Sequence, residues 1–326
     1  MRNIMFSEVK LKITVLFSRL LSLSLATLLI PLMIYDSTKN PDINNYMNDY
    51  LLHLNYYEPG YRLLVYINRE LLNLNFEYHW YALLFIQAIL IYIIYNRLTL
   101  IILAYIVFVP ITESYLGTQV RYSISILLFL VAILRIICND KKWNETTWIL
   151  MLSAALMHIG SLVLLLIYYI AANSKASNIF RGKVKWRELF FYAAFIPLLF
   201  YGKQIIIYLM QFTRFVYFED GSVFLEPRST ISIIYMLVSA IFIRAALALD
   251  STVHKQNSIL VFSYLLLISS LITASVSVLS ARIFTAYVML QPLIIYSLIF
   301  NRRAYLYGLL LLTIATVQLC TYLVLL

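Results

Sequence analysis

Residues 147–172 read TWILMLSAALMHIGSLVLLLIYYIAA, and the fold turns on how this run meets a membrane. It exceeds the roughly 20 apolar residues that carry a helix across a hydrocarbon core of about 30 Å. Crossing once, it would leave Lys175, Arg181, Lys183, Lys185 and Arg187 outside and invert every later loop. The basic residues would then divide 12 inside to 13 outside, which is no bias. The alternative is two short helices, broken near Met157–Gly160, that enter and leave on the cytoplasmic side. The inside set is then Arg2, Lys10, Lys12, Arg19, Arg97, Arg135, Lys141, Lys142, the five residues above, Arg244, Lys255, Arg302 and Arg303, or 17 against 8 outside. Cytoplasmic loops carry the Lys/Arg excess in multi-span proteins, so the broken hairpin is the reading. Irregular backbone at membrane depth is tolerated only where it is buried in protein or lines a wet cavity, and His158 sits at the break.

Working outward, further apolar runs occupy 13–35, 79–96, 98–112, 119–138, 188–209, 229–250, 258–279, 283–300 and 304–326. The first is too long for a signal peptide and lacks a small-residue cleavage site, so it reads as an anchor. The 326 residues are 63% hydrophobic and 12% charged, whereas soluble domains run near 45–50% and 25%. Charge is too scarce to cover a soluble surface, which excludes a cytosolic enzyme, a disordered chain and a disulfide-stapled secreted module. The expected fold is an all-α, polytopic integral membrane protein with about 9–11 transmembrane helices, counting the broken or re-entrant pair at 147–172. Residues 1–326 would form a single transmembrane domain. The net charge of +10 then reports sidedness toward a lipid bilayer and not a nucleic-acid partner. Cys138 and Cys320 lie far apart in apolar runs, and the four histidines are scattered. With no His-Glu-x-x-His, Asp-x-Asp or cysteine cluster, neither a metal nor another cofactor is expected.

Two polar segments remain, 36–78 and 210–228, both outside by the same charge count. From Asn44 to Leu54 and from Tyr61 to Leu74 the apolar residues recur at a spacing of three to four. That predicts two amphipathic helices lying on the membrane, joined by a kink at Glu58-Pro59-Gly60. Asp36, Asp42, Asp49, Glu58, Glu70 and Glu77 alternate there with many aromatic residues. A solvated interfacial cap accounts for this pattern. So does a carbohydrate-facing lid, in which carboxylates bond hydroxyls and aromatic faces stack on sugar rings. Glu58, held at a turn, suits a general base if its surroundings are partly desolvated.

The outer basic residues are Lys39, Arg62, Arg69, Arg121, Lys203, Arg214, Arg228 and Arg282, six of the eight being arginine. The guanidinium fork suits planar, bidentate recognition of phosphate and carboxylate. Arg121 opens a span after the polar turn Glu113-Ser114-Tyr115-Leu116-Gly117-Thr118-Gln119-Val120, and Arg282 stands at the outer end of another. Glu113 and Gln119 are candidates to pair with Arg121. A snorkelling anchor and a site for an anionic lipid phosphate both fit this position. His158 suits either a core histidine bonded to a helix carbonyl or an intramembrane functional group. Arg214 and Arg228, with Glu219, Asp220 and Glu226, either complete a cleft with 36–78 or belong to a solvated connector.

Four pieces in order carry a family resemblance. They are Asp42-x-x-x-Tyr46, then Glu58-Pro59-Gly60-Tyr61, then the helix led by Arg121, then Ala154-Ala155-Leu156-Met157-His158-Ile159-Gly160-Ser161. From about residue 36 to 172, and more loosely at Arg282 and Tyr287, the chain resembles the EpsG-like branch of the Wzy-type polysaccharide polymerases. The family pattern commonly has Gln after the arginine and Ala a turn later; Tyr122 and Ser125 stand there here. The resemblance implies a metal-independent membrane glycosyltransferase at the outer face of the bacterial cytoplasmic membrane. It would transfer a glycan from polyprenyl diphosphate to a hydroxyl of an incoming lipid-linked repeat unit, building O-antigen, capsule or exopolysaccharide. Its partners would be the lipid-linked donor and acceptor, with a flippase and a chain-length regulator. Arg121 and Arg282, helped by Arg214 or Arg228, would hold the diphosphate, and Glu58 or His158 would act as base. Asp42, Tyr46, Tyr61, Arg62, Glu113, Gln119 and Tyr287 would complete the substrate surface. The alternatives are a flippase or exporter of lipid-linked oligosaccharide and a membrane O-acyltransferase. The first would favour internal repeats, which are not seen. The second would show a His-first arrangement that the N-terminal half lacks.

Overall fold

The computed structural model describes residues 2–33, 41–111, 115–138, 143–173, 227–249 and 254–325, with short pieces at 179–180, 182, 185–189, 192–193, 201, 204 and 208. The elements are α1 (Arg2–Met33), α2 (Pro41–Leu52), α3 (Pro59–Tyr66), a π-helical turn (Ile67–Leu71), α4 (Phe76–Ile94), α5 (Leu98–Ile111), α6 (Val120–Cys138), α7 (Glu145–Met157), α8 (Ser161–Ala172), α9 (Thr230–Leu249), α10 (His254–Ile272), α11 (Ser277–Ile299) and α12 (Tyr305–Leu325). Among the described residues there is no strand. The chain is an all-helical, polytopic membrane protein. α4, α6, α9, α11 and α12 each hold a stretch long and apolar enough to cross a bilayer. Most of the expected span 188–209 and most of the polar segment 210–228, including Arg214, lie outside the described residues, as does Glu113.

The break that decides the fold is present. α7 has 13 residues and α8 has 12, so at 1.5 Å per residue they are roughly 20 and 18 Å long. Each falls short of the ~30 Å hydrocarbon core. α7 starts on Asn144, whose side chain accepts the Thr147 N–H at 2.9 Å, and it ends where His158 turns extended (φ −159°, ψ 119°). The amphipathic segment also divides as the spacing predicts, into α2 and α3. Its connection is a loop rather than a simple kink, because His53 and Asn55 adopt left-handed backbone (φ 56° for both). Elsewhere the apolar run 258–279 overshoots: α10 stops at Ile272, and Thr273–Val276 form a tight turn closed by the Val276 N–H on the Thr273 carbonyl. Hydropathy alone does not register this stop, since Ala274, Val276 and Val278 carry the apolar run through it.

The helices group into two compact units, Met1–Leu162 with Gln318–Leu326, and Val163–Val317. In the first, α1 packs on α4 and α5, α4 on α6, α6 on α7, and α3 on α7. α6 is the central strut, with 78% of its apolar window buried. Gln87 of α4 reaches the Leu116 carbonyl at 3.1 Å, and Ser123 of α6 bonds the Tyr115 carbonyl at 2.9 Å. These two bonds fix the polar turn in front of Arg121. In the second unit, α9, α10 and α11 pack in succession. There Arg244 of α9 grips Glu188 with Nε and Nη2, each at 2.7 Å, and donates Nη1 to the Gly182 carbonyl at 3.0 Å.

Candidate functional site

The Glu58-Pro59-Gly60 turn begins α3, and each of its residues has a physical reason to be there. Pro59 takes the first helical position, where its missing N–H costs nothing and its fixed φ suits the helix. Gly60 lies against the end of α7, where a Cβ would sit 2.8 Å from both C and O of Leu156. Only hydrogen fits there. Glu58 occupies the N-cap position yet makes no side-chain cap bond. Its carboxylate is turned instead to Arg121, at the start of α6, and the two form a direct ion pair through Arg121 Nη1. The loop ahead of it is tied down by Asp49, 3% exposed, which accepts the Tyr56 N–H at 2.9 Å.

Arg121 also donates Nε–H to the Tyr46 hydroxyl at 3.0 Å. Three rings surround its guanidinium, with Cζ 3.8 Å from the centroid of Tyr57, 5.4 Å from Tyr46 and 5.8 Å from Tyr61. The rings pack on one another, Tyr46 lying 5.1 Å from Tyr57, 5.4 Å from Tyr61 and 5.5 Å from Trp80. Side-chain exposure is 16% for Arg121 and 21% for Glu58, so the pair is screened from water but reachable. Burial pushes the Tyr46 phenol above its ordinary value, Arg121's charge pulling it part of the way back. Burial pushes Tyr61 well above, with the neighbouring tyrosines adding to it. The cage therefore stays uncharged around one cation and one carboxylate. Asp42, in the first turn of α2 and one turn before Tyr46, adds negative potential at that phenol.

His158 lies at the break between α7 and α8, 7% exposed. Its Nδ1 accepts the Gly160 N–H at 3.0 Å. A backbone amide can only donate, so Nδ1 is unprotonated and the ring proton of the neutral form sits on Nε2. Gly160 is required for this: a Cβ there would lie 2.9 Å from that Nδ1. The two departures from the family pattern both touch the break. Tyr122 packs edge-on against the His158 ring at 5.0 Å. Ser125 donates to the Ala154 carbonyl at 2.7 Å, with the His158 carbonyl at 3.4 Å.

Of the residues singled out from sequence, Glu58, Arg121, Tyr46 and Tyr61 thus meet in one cluster in the first unit. Gln119 does not supply the expected acceptor to Arg121; its Oε1 is buried without a hydrogen-bond partner. Glu58 and Tyr46 take that place. Arg62 is exposed on α3. In the second unit, the Arg228 guanidinium lies 5.5 Å from the Phe284 ring centroid, and Phe284 stacks on Tyr287 at 5.8 Å. Tyr287 is fully buried, while Arg282, half-buried, precedes it on α11. Sequence reasoning passed over Tyr57, Trp80, Asn68 and His79, and read Tyr122 only as a departure from the family pattern. Tyr57 adjoins Glu58, which is a usable signal; the others are brought in only by packing. Among the described residues, no group of three or more His, Cys, Asp or Glu is placed to hold a metal ion.

An all-helical chain with five helices long and apolar enough to cross a bilayer, carrying an ion pair caged by tyrosine rings, defines a polytopic membrane protein. The EpsG family profile matches residues 20–326, and the chain belongs to that family. Membership makes it a membrane protein of the polysaccharide-polymerase type. Neither the curated proteins nor the solved structures contain a match.

Proposed function

We propose that the chain is a membrane glycosyltransferase that polymerises polyprenyl-diphosphate-linked oligosaccharide repeat units into O-antigen, capsule or exopolysaccharide. Its site would face the exterior of the bacterial cytoplasmic membrane. The carrying observation is the Arg121 guanidinium, held by Glu58 and Tyr46 inside three tyrosine rings. A fixed guanidinium in a water-poor site is a preorganised stabiliser for a departing diphosphate. At rest, Glu58 and Arg121 neutralise each other. A donor diphosphate competes for the guanidinium, and moving it to phosphate oxygens frees the Glu58 carboxylate beside the acceptor. The acceptor hydroxyl oxygen then bonds the anomeric carbon while the bond to the diphosphate oxygen breaks. The electron pair leaves on the polyprenyl diphosphate, and the hydroxyl proton passes to Glu58.

His158 fits a different part. With its proton on Nε2 it is a hydrogen-bond donor toward a sugar or phosphate oxygen, so Glu58 is the better base. The donor and acceptor are both lipid-linked, and a flippase and a chain-length regulator are the expected protein partners.

The test is the glycan profile of cells. Loss of the gene should leave single repeat units capping the lipid acceptor. Loss of all surface glycan would point to a flippase, and intact chains lacking acyl groups to an acyltransferase. Arg121→Lys replaces the fork by a point charge and is expected to cut polymer yield by about tenfold or more. Full-length polymer from Arg121→Lys and Arg121→Ala would refute the diphosphate role, and normal chains from Glu58→Gln would remove the base.

A further inference from the structure

His79, in the first turn of α4, is fully buried and has no part in the chemistry described so far. Its Nδ1 lies 2.8 Å from Asn68 Nδ2 and its Nε2 lies 3.3 Å from the Tyr61 hydroxyl. An amide NH2 can only donate, so Nδ1 is the acceptor and Nε2 carries the proton toward the phenol oxygen. Tyr61, Val65 and Asn68 fall at i, i+4 and i+7, on one helical face, and all three are buried. The imidazole bridges the two polar members of that face, two turns apart. Tyr50 covers its ring at 4.7 Å between centroids. Buried polar groups are costly unless satisfied, and once satisfied they fix one arrangement.

The ring held this way is a wall of the Arg121 cage. Tyr61 contacts Tyr46 and, edge-on, Tyr57, the two rings nearest the guanidinium. We infer that His79, together with Asn68, is a positioning residue: it locks the Tyr61 ring through its hydroxyl, and through Tyr61 it sets the orientation in which Arg121 meets a diphosphate. This rests on the diphosphate role proposed for Arg121.

The experiment titrates full-length protein in lipid nanodiscs with undecaprenyl diphosphate, by calorimetry. Arg121→Ala is expected to abolish binding. Tyr61→Phe keeps the ring and removes only the anchored hydroxyl, and His79→Phe removes the anchor. Each should weaken binding about three- to tenfold, the range of one lost buried hydrogen bond. The double variant should bind no more weakly than either single one. His79→Gln, whose amide NH2 can occupy the place of Nε2–H, should return affinity to within about twofold of the unaltered chain. Unchanged binding by Tyr61→Phe, or His79→Gln as weak as His79→Phe, would overturn the positioning role while leaving that of Arg121 standing. If His79→Phe fails to fold, Tyr61→Phe and His79→Gln decide the matter. Unaltered binding by Arg121→Ala would overturn the diphosphate reading, and this inference with it.

Discussion

Arg121 is held by three kinds of force at once: a carboxylate, a phenol oxygen and aromatic faces. A cation over a desolvated ring gains up to about 2 kcal/mol, and each hydrogen bond from its charged guanidinium a net of about 1.5–3 kcal/mol. Tyr46→Phe keeps the ring and loses only the Nε acceptor, so it should cost about 1.5–3 kcal/mol in thermal unfolding and leave a reduced but measurable polymer yield. Alkaline pH offers a second check. The buried phenols Tyr46 and Tyr61 have raised values in the folded state, so the neutral form is the one the fold favours. Their contribution is complete below the ordinary value near 10 and is lost as pH rises through the raised values. Melting temperature should therefore decline only above about pH 10, and Tyr46→Phe should shrink that decline. Glu58, Arg121, Tyr46 and Tyr61 were legible in the sequence because each stands in a short motif beside a turn or a span end. Asn68 and His79 were not. A histidine at the rim of an apolar run looks the same whether it faces lipid headgroups or, as here, a buried amide and phenol.

At the scale of elements, the turn at α3 and the break between α7 and α8 form one joint. Gly60 lets α3 touch the backbone of Leu156, two residues before His158. Gly60→Ala would force these elements apart; overpacking of this kind costs about 1–3 kcal/mol. The expected outcome is lower thermal stability with a disproportionate loss of polymer, because Glu58 shifts with α3. Gly160→Ala is the local counterpart: it crowds His158 Nδ1 and should change activity more than melting temperature. The break itself was readable, since the alternative left basic residues evenly divided. The loop at 53–58 was not, because it combines left-handed backbone at His53 and Asn55 with a tertiary tie from the Tyr56 amide to Asp49, neither of which the apolar spacing reports. The stop at Ile272 escaped because it is fixed by backbone bonds rather than by composition.

At the scale of the whole molecule, the two units are stabilised by different means. The first concentrates aromatic and ionic contacts around Arg121. The second has the forked Arg244–Glu188 pair, with Glu188 only 1% exposed. Removing one partner of such a pair strands a buried charge, at a cost of about 3–5 kcal/mol, whereas replacing both with apolar groups is often neutral. Glu188→Met or Arg244→Met alone should sharply lower the amount of folded protein in membranes. The double replacement should recover most of it, as read by detergent extraction and gel filtration.

The cage has a consequence in time as well as in space. Glu58 and Arg121 lie 63 positions apart, and ribosomes add about 5–20 residues per second. For roughly 3–13 s after Glu58 is made, its partner does not yet exist. During that interval Tyr46, Tyr57 and Tyr61 lack the Arg121 cation they surround in the folded chain, and the Glu58 carboxylate lacks its partner. The cage closes only when α6 is delivered to the membrane, so the arrival of a single arginine marks the moment at which the first unit completes the Glu58–Arg121 ion pair.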